Sequence, residues 1–233
     1  LTKQQLSHQQ GVHTAGFSSD FSCYIQGFSN ASIPPRATIQ QTDSESGILL
    51  EGNNKLGEEL KNIPHKEFLK IPVNKQFLNA WIIKPANLDI TKKYPLLLYV
   101  YGGPGDREVL NEWEKRRDLF YNFLAEQGYV VACVENTGTG NKGAAFKKAT
   151  FLHLGKLETS DQAAAANYFS SLPYIDKNRI GIFGWSYGGY IALNAILEAN
   201  NIFKAAIAVA PITNWNLYDN VYTERYMRTP KEN

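Results

Sequence analysis

The stretch RIGIFGWSYGGYIALNAILEA, residues 179–199, most narrows what this chain can fold into. Its first half is a short apolar run of strand type, and its second half has helical spacing of apolar residues. Between them stands Gly184-Trp185-Ser186-Tyr187-Gly188, which fits G-x-S-x-G. A strand that turns at once into a helix must bring two backbones into close contact. Glycines two positions either side of the serine remove the Cβ atoms that would prevent it. Gly189 extends that freedom into the helix start. A serine at such an apex is held in a strained conformation, with its hydroxyl at the carboxyl end of a sheet. The motif without this setting is common, and a serine can also sit there simply as a helix cap. The strand–turn–helix setting points to Ser186 as a nucleophile. The N–H of Tyr187 then lies next to it at a helix N-terminus, ready for an oxyanion, and the loop YGGPG at 101–105 is placed to give a second donor.

The surroundings of this stretch set the fold class. PLLLYVYG (95–102), YVVACVE (129–135), RIGIFGW (179–185) and KAAIAVAPI (204–212) are apolar throughout. They alternate with helical segments at 116–128, 159–172 and 187–200. That alternation predicts an α/β domain with a parallel sheet covered on both faces. HKEFLKIPV and QFLNAWIIKP add a strand pair, and KLGEELKNI a short helix closed by Pro64. Residues 1–54 differ: HTAGFSSD, CYIQGFSN, RATIQQTD and GILLEG read as short antiparallel strands with polar turns. The expected division is 1–54 and 55–233. No second copy of the strand pattern occurs, so at most one unit of a repeating β architecture is expected.

Composition excludes several classes. With 233 residues, 24 Lys+Arg against 22 Asp+Glu, the chain lacks the basic excess of a nucleic-acid binder. Its longest apolar run is far too short for a membrane span. Two cysteines make no disulfide framework, and no His/Cys set has metal-ligand spacing, so neither cofactor nor metal is indicated.

VYGGPG (100–105), LGKLETSDQ (154–162), GWSYGGY (184–190) and PITNWNLYDNVYTERYM (211–227) resemble the prolyl oligopeptidase family, and within it the dipeptidyl peptidase IV branch. The resemblance implies a partial α/β-hydrolase fold preceded by the last blade of a β-propeller. It implies a serine exopeptidase that removes N-terminal Xaa-Pro or Xaa-Ala dipeptides, with a peptide as its partner and a possible homodimer when full length. It implies that Ser186 is the nucleophile and that the Tyr187 N–H and the Tyr101 hydroxyl form the oxyanion hole. Ile212, Trp215, Tyr218 and Tyr222 would line the proline pocket, and flat aromatic walls suit a pyrrolidine ring. From pattern alone the same aromatics read equally well as the core face of an amphipathic helix. The family's arginine is replaced here by Thr137, which leaves a non-catalytic homologue open as an alternative, beside another α/β-hydrolase.

A serine needs a histidine base, and with this elbow the order is Ser, then Asp or Glu, then His. The histidines are His8, His13, His65 and His153, all before Ser186. Glu198 and Asp219 follow it but have no histidine to orient. The expectation is a chain cut at both ends, with the missing acid and histidine on loops of two further strands beyond Asn233. Such a chain would be inactive by itself, and exposed strand edges would make it poorly soluble.

Overall fold

The computed structural model describes residues 5–44, 46–113 and 116–232. The contacts divide these into two units. One runs to Lys66 and includes residues 110–122, and the other comprises 67–109 and the rest from Phe123.

The first unit is an antiparallel meander. Strands β1 (Val12–Phe17), β2 (Cys23–Asn30), β3 (Ile33–Gln41) and β4 (Gly47–Glu51) pair in sequence order. Asp20 organises the β1–β2 turn: its carboxylate accepts from the hydroxyls of Ser18 and Ser22 and from the Ser22 N–H. Few side chains are interior, chiefly Tyr24, Phe28 and Ala31. An open groove of about 440 Å³ runs past His13, Tyr24, Gln26, Phe28 and Arg36. Strand β4 is exposed along its whole length, with Ile48, Leu49 and Leu50 in solvent. Helix α1 (Asn54–Leu60) buries no residue. Residues 110–122 join this unit through an Asn111 side chain that accepts from the Ala31 N–H, and through the buried Lys66–Asp118 ion pair at 2.8 Å.

The second unit is built on a six-stranded sheet. Its strands are β5 (Glu67–Val73), β6 (Gln76–Ile83), β7 (Tyr94–Val100), β8 (Val130–Val134), β9 (Ile175–Trp185) and β10 (Ala205–Val209), in the order β10-β9-β7-β8-β6-β5. Strands β7 to β10 are parallel to their neighbours among themselves, as the alternation predicts. Strand β6 runs against both β5 and β8, so the sheet is mixed. The β5–β6 hairpin closes on Asn74 and Lys75, both at positive φ, the geometry of a two-residue turn that matches strand twist.

The helices are α2 (Arg116–Glu126), α3 (Gly143–Lys148), α4 (Lys156–Ser170), α5 (Tyr187–Glu198) and α6 (Asn220–Met227). Helix α5 lies on β9 and β10 and meets α4. The core joins β7, β8 and β9 to the inner faces of both helices through Leu98, Ala132, Ile182, Phe169, Ile191 and Ala195. Strand β8 is buried at every residue, which explains why VVACV is apolar without alternation. Some details differ from the sequence expectation. Helix α4 begins three residues earlier and β9 four residues earlier, and α3 has no counterpart in it. Residues 214–227, which pattern alone also allowed as one amphipathic helix, are not one helix. Asn214 accepts from the Asn216 N–H and Asp219 from the Tyr222 N–H, so each starts its own helical segment: a 3-10 turn at Trp215–Leu217 and then α6.

Candidate active site

Ser186 stands between the end of β9 and the first residue of α5, at φ 55° and ψ −115°. This is a strained position for a residue with a side chain. The backbone locks it there. Its N–H donates to the Val209 carbonyl on β10 at 2.9 Å, and its carbonyl accepts from the Tyr190 N–H at 3.1 Å. The side chain makes no capping hydrogen bond, so the serine is not serving as an ordinary helix cap. It is half-buried, neither sealed in the core nor fully in water.

The glycines are where this bend touches its neighbours. A side chain at Gly184 would collide with the Gly188 carbonyl, and one at Gly188 with the Val100 carbonyl and the Tyr101 Cα. A Cβ at Gly189 would come within 2.9 Å of the Val209 carbonyl. The helix therefore starts in direct backbone contact with β7, β9 and β10.

The two oxyanion candidates lie at the same sheet end. Val100, the last residue of β7, pairs with Gly184 on the parallel strand β9, so Tyr101 and Ser186 both leave the sheet at its carboxyl edge. The Tyr187 N–H belongs to the first turn of α5, where amide hydrogens have no partner inside the helix and the dipole favours negative charge. Burial raises the Tyr101 phenol above its ordinary pKa, with a further push from the Asp106 carboxylate, so it stays a hydrogen-bond donor. The Tyr101 and Tyr187 rings are 6.2 Å apart.

The aromatic candidates form one continuous group. Trp215 and Tyr222 are stacked, with centroids 6.0 Å apart and planes 1° from parallel. Tyr218 stands edge-on to both, at 5.8 and 5.5 Å. Ile212 is buried beside them. Trp215 also reaches the elbow helix, 6.0 Å from Tyr187 and 5.4 Å from Tyr190. Burial, then the neighbouring Tyr101, pushes the Tyr222 phenol far up. Tyr190 and Tyr226, which the sequence pattern did not single out, complete the cluster; Tyr226 lies 4.8 Å from Tyr222. Asp219, placed by sequence among these aromatics, works as the cap of α6.

A buried polar network lies behind the elbow. The Tyr187 hydroxyl donates to Glu158 Oε1 at 2.7 Å, and Glu158 Oε2 accepts from the Gly155 N–H at 3.0 Å. Burial, with Asp161 nearby, raises the Glu158 carboxyl to about 6 despite those two bonds, which pull it down. Asp161 accepts from the Thr137 N–H and from Asn74. Gln162 donates to Asn136, which donates to the Gly102 carbonyl in the loop after Tyr101. Thr137 accepts from Gln76 through its hydroxyl, so its side chain is engaged where the family carries arginine. The sequence signal for this network was available: Glu158, Asp161 and Gln162 continue the spacing of Ala165, Ala166 and Phe169 along the buried side of α4. His153 and Glu198 are exposed. Among the described residues no group of His, Cys, Asp and Glu is arranged to hold a metal, and no helix is long and apolar enough to cross a membrane.

The profile of the prolyl oligopeptidase family matches residues 117–233, half of the sequence and the part that holds α4, the elbow and the aromatic group. The chain belongs to the prolyl oligopeptidase family. Its relatives include a Schizosaccharomyces pombe protein named as a dipeptidyl aminopeptidase, 35% identical across 96% of this chain. A Paracoccidioides lutzii protein named as a dipeptidyl-aminopeptidase B is 41% identical across 79% of it. The crystal structure of Porphyromonas gingivalis dipeptidyl peptidase 4 superposes with a TM-score of 0.93 at 43% identity, over the whole of this chain. This family member spans only 28% and 20% of the two relatives' lengths, and 33% of the crystallised chain.

Proposed function

We propose that the full-length protein containing this chain is a serine dipeptidyl peptidase, releasing N-terminal Xaa-Pro and Xaa-Ala dipeptides from peptides through an acyl-enzyme. The observation that carries this is Ser186, strained at the elbow, with a hydroxyl that its own helix does not claim and an aromatic wall adjoining it. The dipeptidyl peptidase names of the relatives support the substrate class.

In this reading Ser186 Oγ attacks the carbonyl carbon of the second residue. Its proton passes to a histidine, and the carbonyl oxygen becomes an oxyanion held by the Tyr187 N–H and the Tyr101 hydroxyl. The leaving amine takes the proton, and water then releases the dipeptide from Ser186. The pyrrolidine ring sits among Ile212, Trp215, Tyr218 and Tyr222, where rigid aromatic faces lose little entropy on binding it. The acid and histidine are supplied by loops of further strands that extend the sheet past β10. Residues 1–54 form the last blade of a β-propeller, and residues 55–233 the first part of the hydrolase domain.

The test uses the full-length protein. It is expected to hydrolyse Gly-Pro-nitroanilide in preference to a nitrophenyl ester, and to take a fluorophosphonate label at Ser186. Ser186→Ala should abolish both the label and the peptidase activity while leaving the thermal melt within a few degrees. Preference for the ester would point to another hydrolase of this fold. A wild-type protein that refuses the label would be a non-catalytic homologue.

A further inference from the structure

The segment LGKLETSDQ takes no part in the reaction as described, yet it grips the elbow helix at two points. Tyr187 and Tyr190 are three residues apart on α5 and share one side of it. The Tyr190 hydroxyl donates to the Leu154 carbonyl at 2.9 Å, and the Tyr187 hydroxyl to Glu158 at 2.7 Å. Gly155 sits between these anchors at φ 91°, and a side chain there would run into the Tyr190 hydroxyl. Glu158 is wholly buried, and the charged neighbour that acts on its carboxyl is Asp161, not a cation. Its two oxygens are spent on the Tyr187 hydroxyl and the Gly155 amide.

A buried carboxylate of this kind is costly unless hydrogen bonds satisfy it, and the two that satisfy this one also restrain their donors. What it holds is the ring of the residue directly after the nucleophile. Tyr101, Tyr190 and Trp215 close around that ring on other sides. The Tyr187 side chain is thereby fixed at its tip as well as along its body, and its own amide belongs to the first turn of α5. We propose that Glu158 is a positioning residue for the oxyanion hole: through the Tyr187 hydroxyl it sets the direction of the Tyr187 N–H toward the tetrahedral intermediate. This rests on Ser186 being the nucleophile.

The test compares Tyr187→Phe, Glu158→Gln and the double variant in the full-length protein. Hydrolysis of Gly-Pro-nitroanilide is measured beside inhibition by a prolyl boronic acid, which forms a tetrahedral adduct on a serine. Tyr187→Phe removes one oxygen and keeps the ring, so it should fold. We expect kcat to fall about tenfold or more while KM stays within about twofold, because misdirected donors act on the transition state and not on substrate binding. Boronate affinity should fall by the same factor as kcat. The double variant should be no worse than the worse single, since Tyr187→Phe removes, and Glu158→Gln weakens, the same contact. The inference is overturned if Tyr187→Phe keeps the kcat and boronate affinity of the wild type. It is also overturned if the two single effects multiply, or if the melting temperature drops while the boronate affinity does not. If Glu158→Gln does not fold, Tyr187→Phe decides the matter through kcat and boronate. A wild-type protein inert to both Gly-Pro-nitroanilide and fluorophosphonate removes the reaction itself and takes this inference with it, a failure seen before any variant is made.

Discussion

At the scale of single residues, the site divides into groups that react and groups that stay protonated so that others can react. In the proposed reaction Tyr101 belongs to the second kind. A phenol donates a hydrogen bond only while it keeps its proton, and burial followed by the Asp106 charge lifts its pKa above the ordinary 10.0. At any given pH Tyr101 is therefore less ionised than an ordinary phenol, and the midpoint of its titration lies on the alkaline side. Tyr101→Phe keeps the ring against Tyr187 and removes only the hydroxyl. The expected result in the full-length protein is a fall in kcat of about 10²–10³-fold, the cost of losing one oxyanion donor, with little change in KM. The pH profile of the wild type should show no alkaline limb from this group below about pH 10. An unchanged kcat in Tyr101→Phe would move the second donor elsewhere in the loop 102–105.

At the scale of elements, the aromatic wall depends on where α6 begins. Tyr218 precedes the helix and Tyr222 lies on its first turn, so the two meet edge-on only if the helix starts between them. Asp219 sets that start by accepting the Tyr222 N–H at 2.8 Å. Losing such a cap costs about 1 kcal/mol locally. Asp219→Ala should therefore fray the first turn of α6, loosen Tyr222 from Trp215, and raise KM for proline substrates several-fold while kcat changes less. Steady-state kinetics on Gly-Pro-nitroanilide and Gly-Ala-nitroanilide check it; loss of kcat without a KM effect would contradict it. The same segment shows what the sequence made legible and what it hid. Strands β7, β8 and the second half of β9 were visible because parallel strands packed on both faces must be apolar at nearly every position, and β10 carries the same kind of apolar run although none of its residues is buried. Ser186 was visible because the elbow admits only glycine at three places, and backbone collisions at 184 and 188 account for that. The break at 214–219 was hidden because the aromatic spacing resembles one amphipathic helix, while two short Asx caps decide otherwise. Glu158 was hidden because a charged residue reads as a solvated one, and only the fold places its carboxylate beneath the elbow. Helix α3 was hidden because six residues carry too little periodicity to register.

At the scale of the whole molecule, each of the two units leaves a strand edge uncovered among the described residues. In the first unit β4 exposes Ile48, Leu49 and Leu50, at 68%, 54% and 52% of their areas. In the second, β10 closes one side of the sheet with Ile207 55% exposed. An edge presents a row of unpaired N–H and C=O groups, and apolar side chains beside it make pairing with another chain favourable. If a longer protein continues the sheet past β10 and flanks β4 with a neighbouring blade, both edges are satisfied internally there and open in these 233 residues alone. Produced by themselves, these 233 residues should bind a hydrophobic dye strongly and sediment as a mixture of oligomers at about 50 µM, a range in which exposed edges associate. Ile48→Lys and Ile207→Lys should each reduce that association without altering the circular dichroism, because charge on an edge opposes strand addition and neither side chain is interior. On the proposed continuation the full-length protein should not bind the dye, and the same substitutions should lower its stability by burying a lysine instead of changing its association. A chain that runs as a monodisperse monomer without the dye would mean that the edges are protected by the chain's own residues, and the proposed continuation of the sheet past β10 would lose its physical motive.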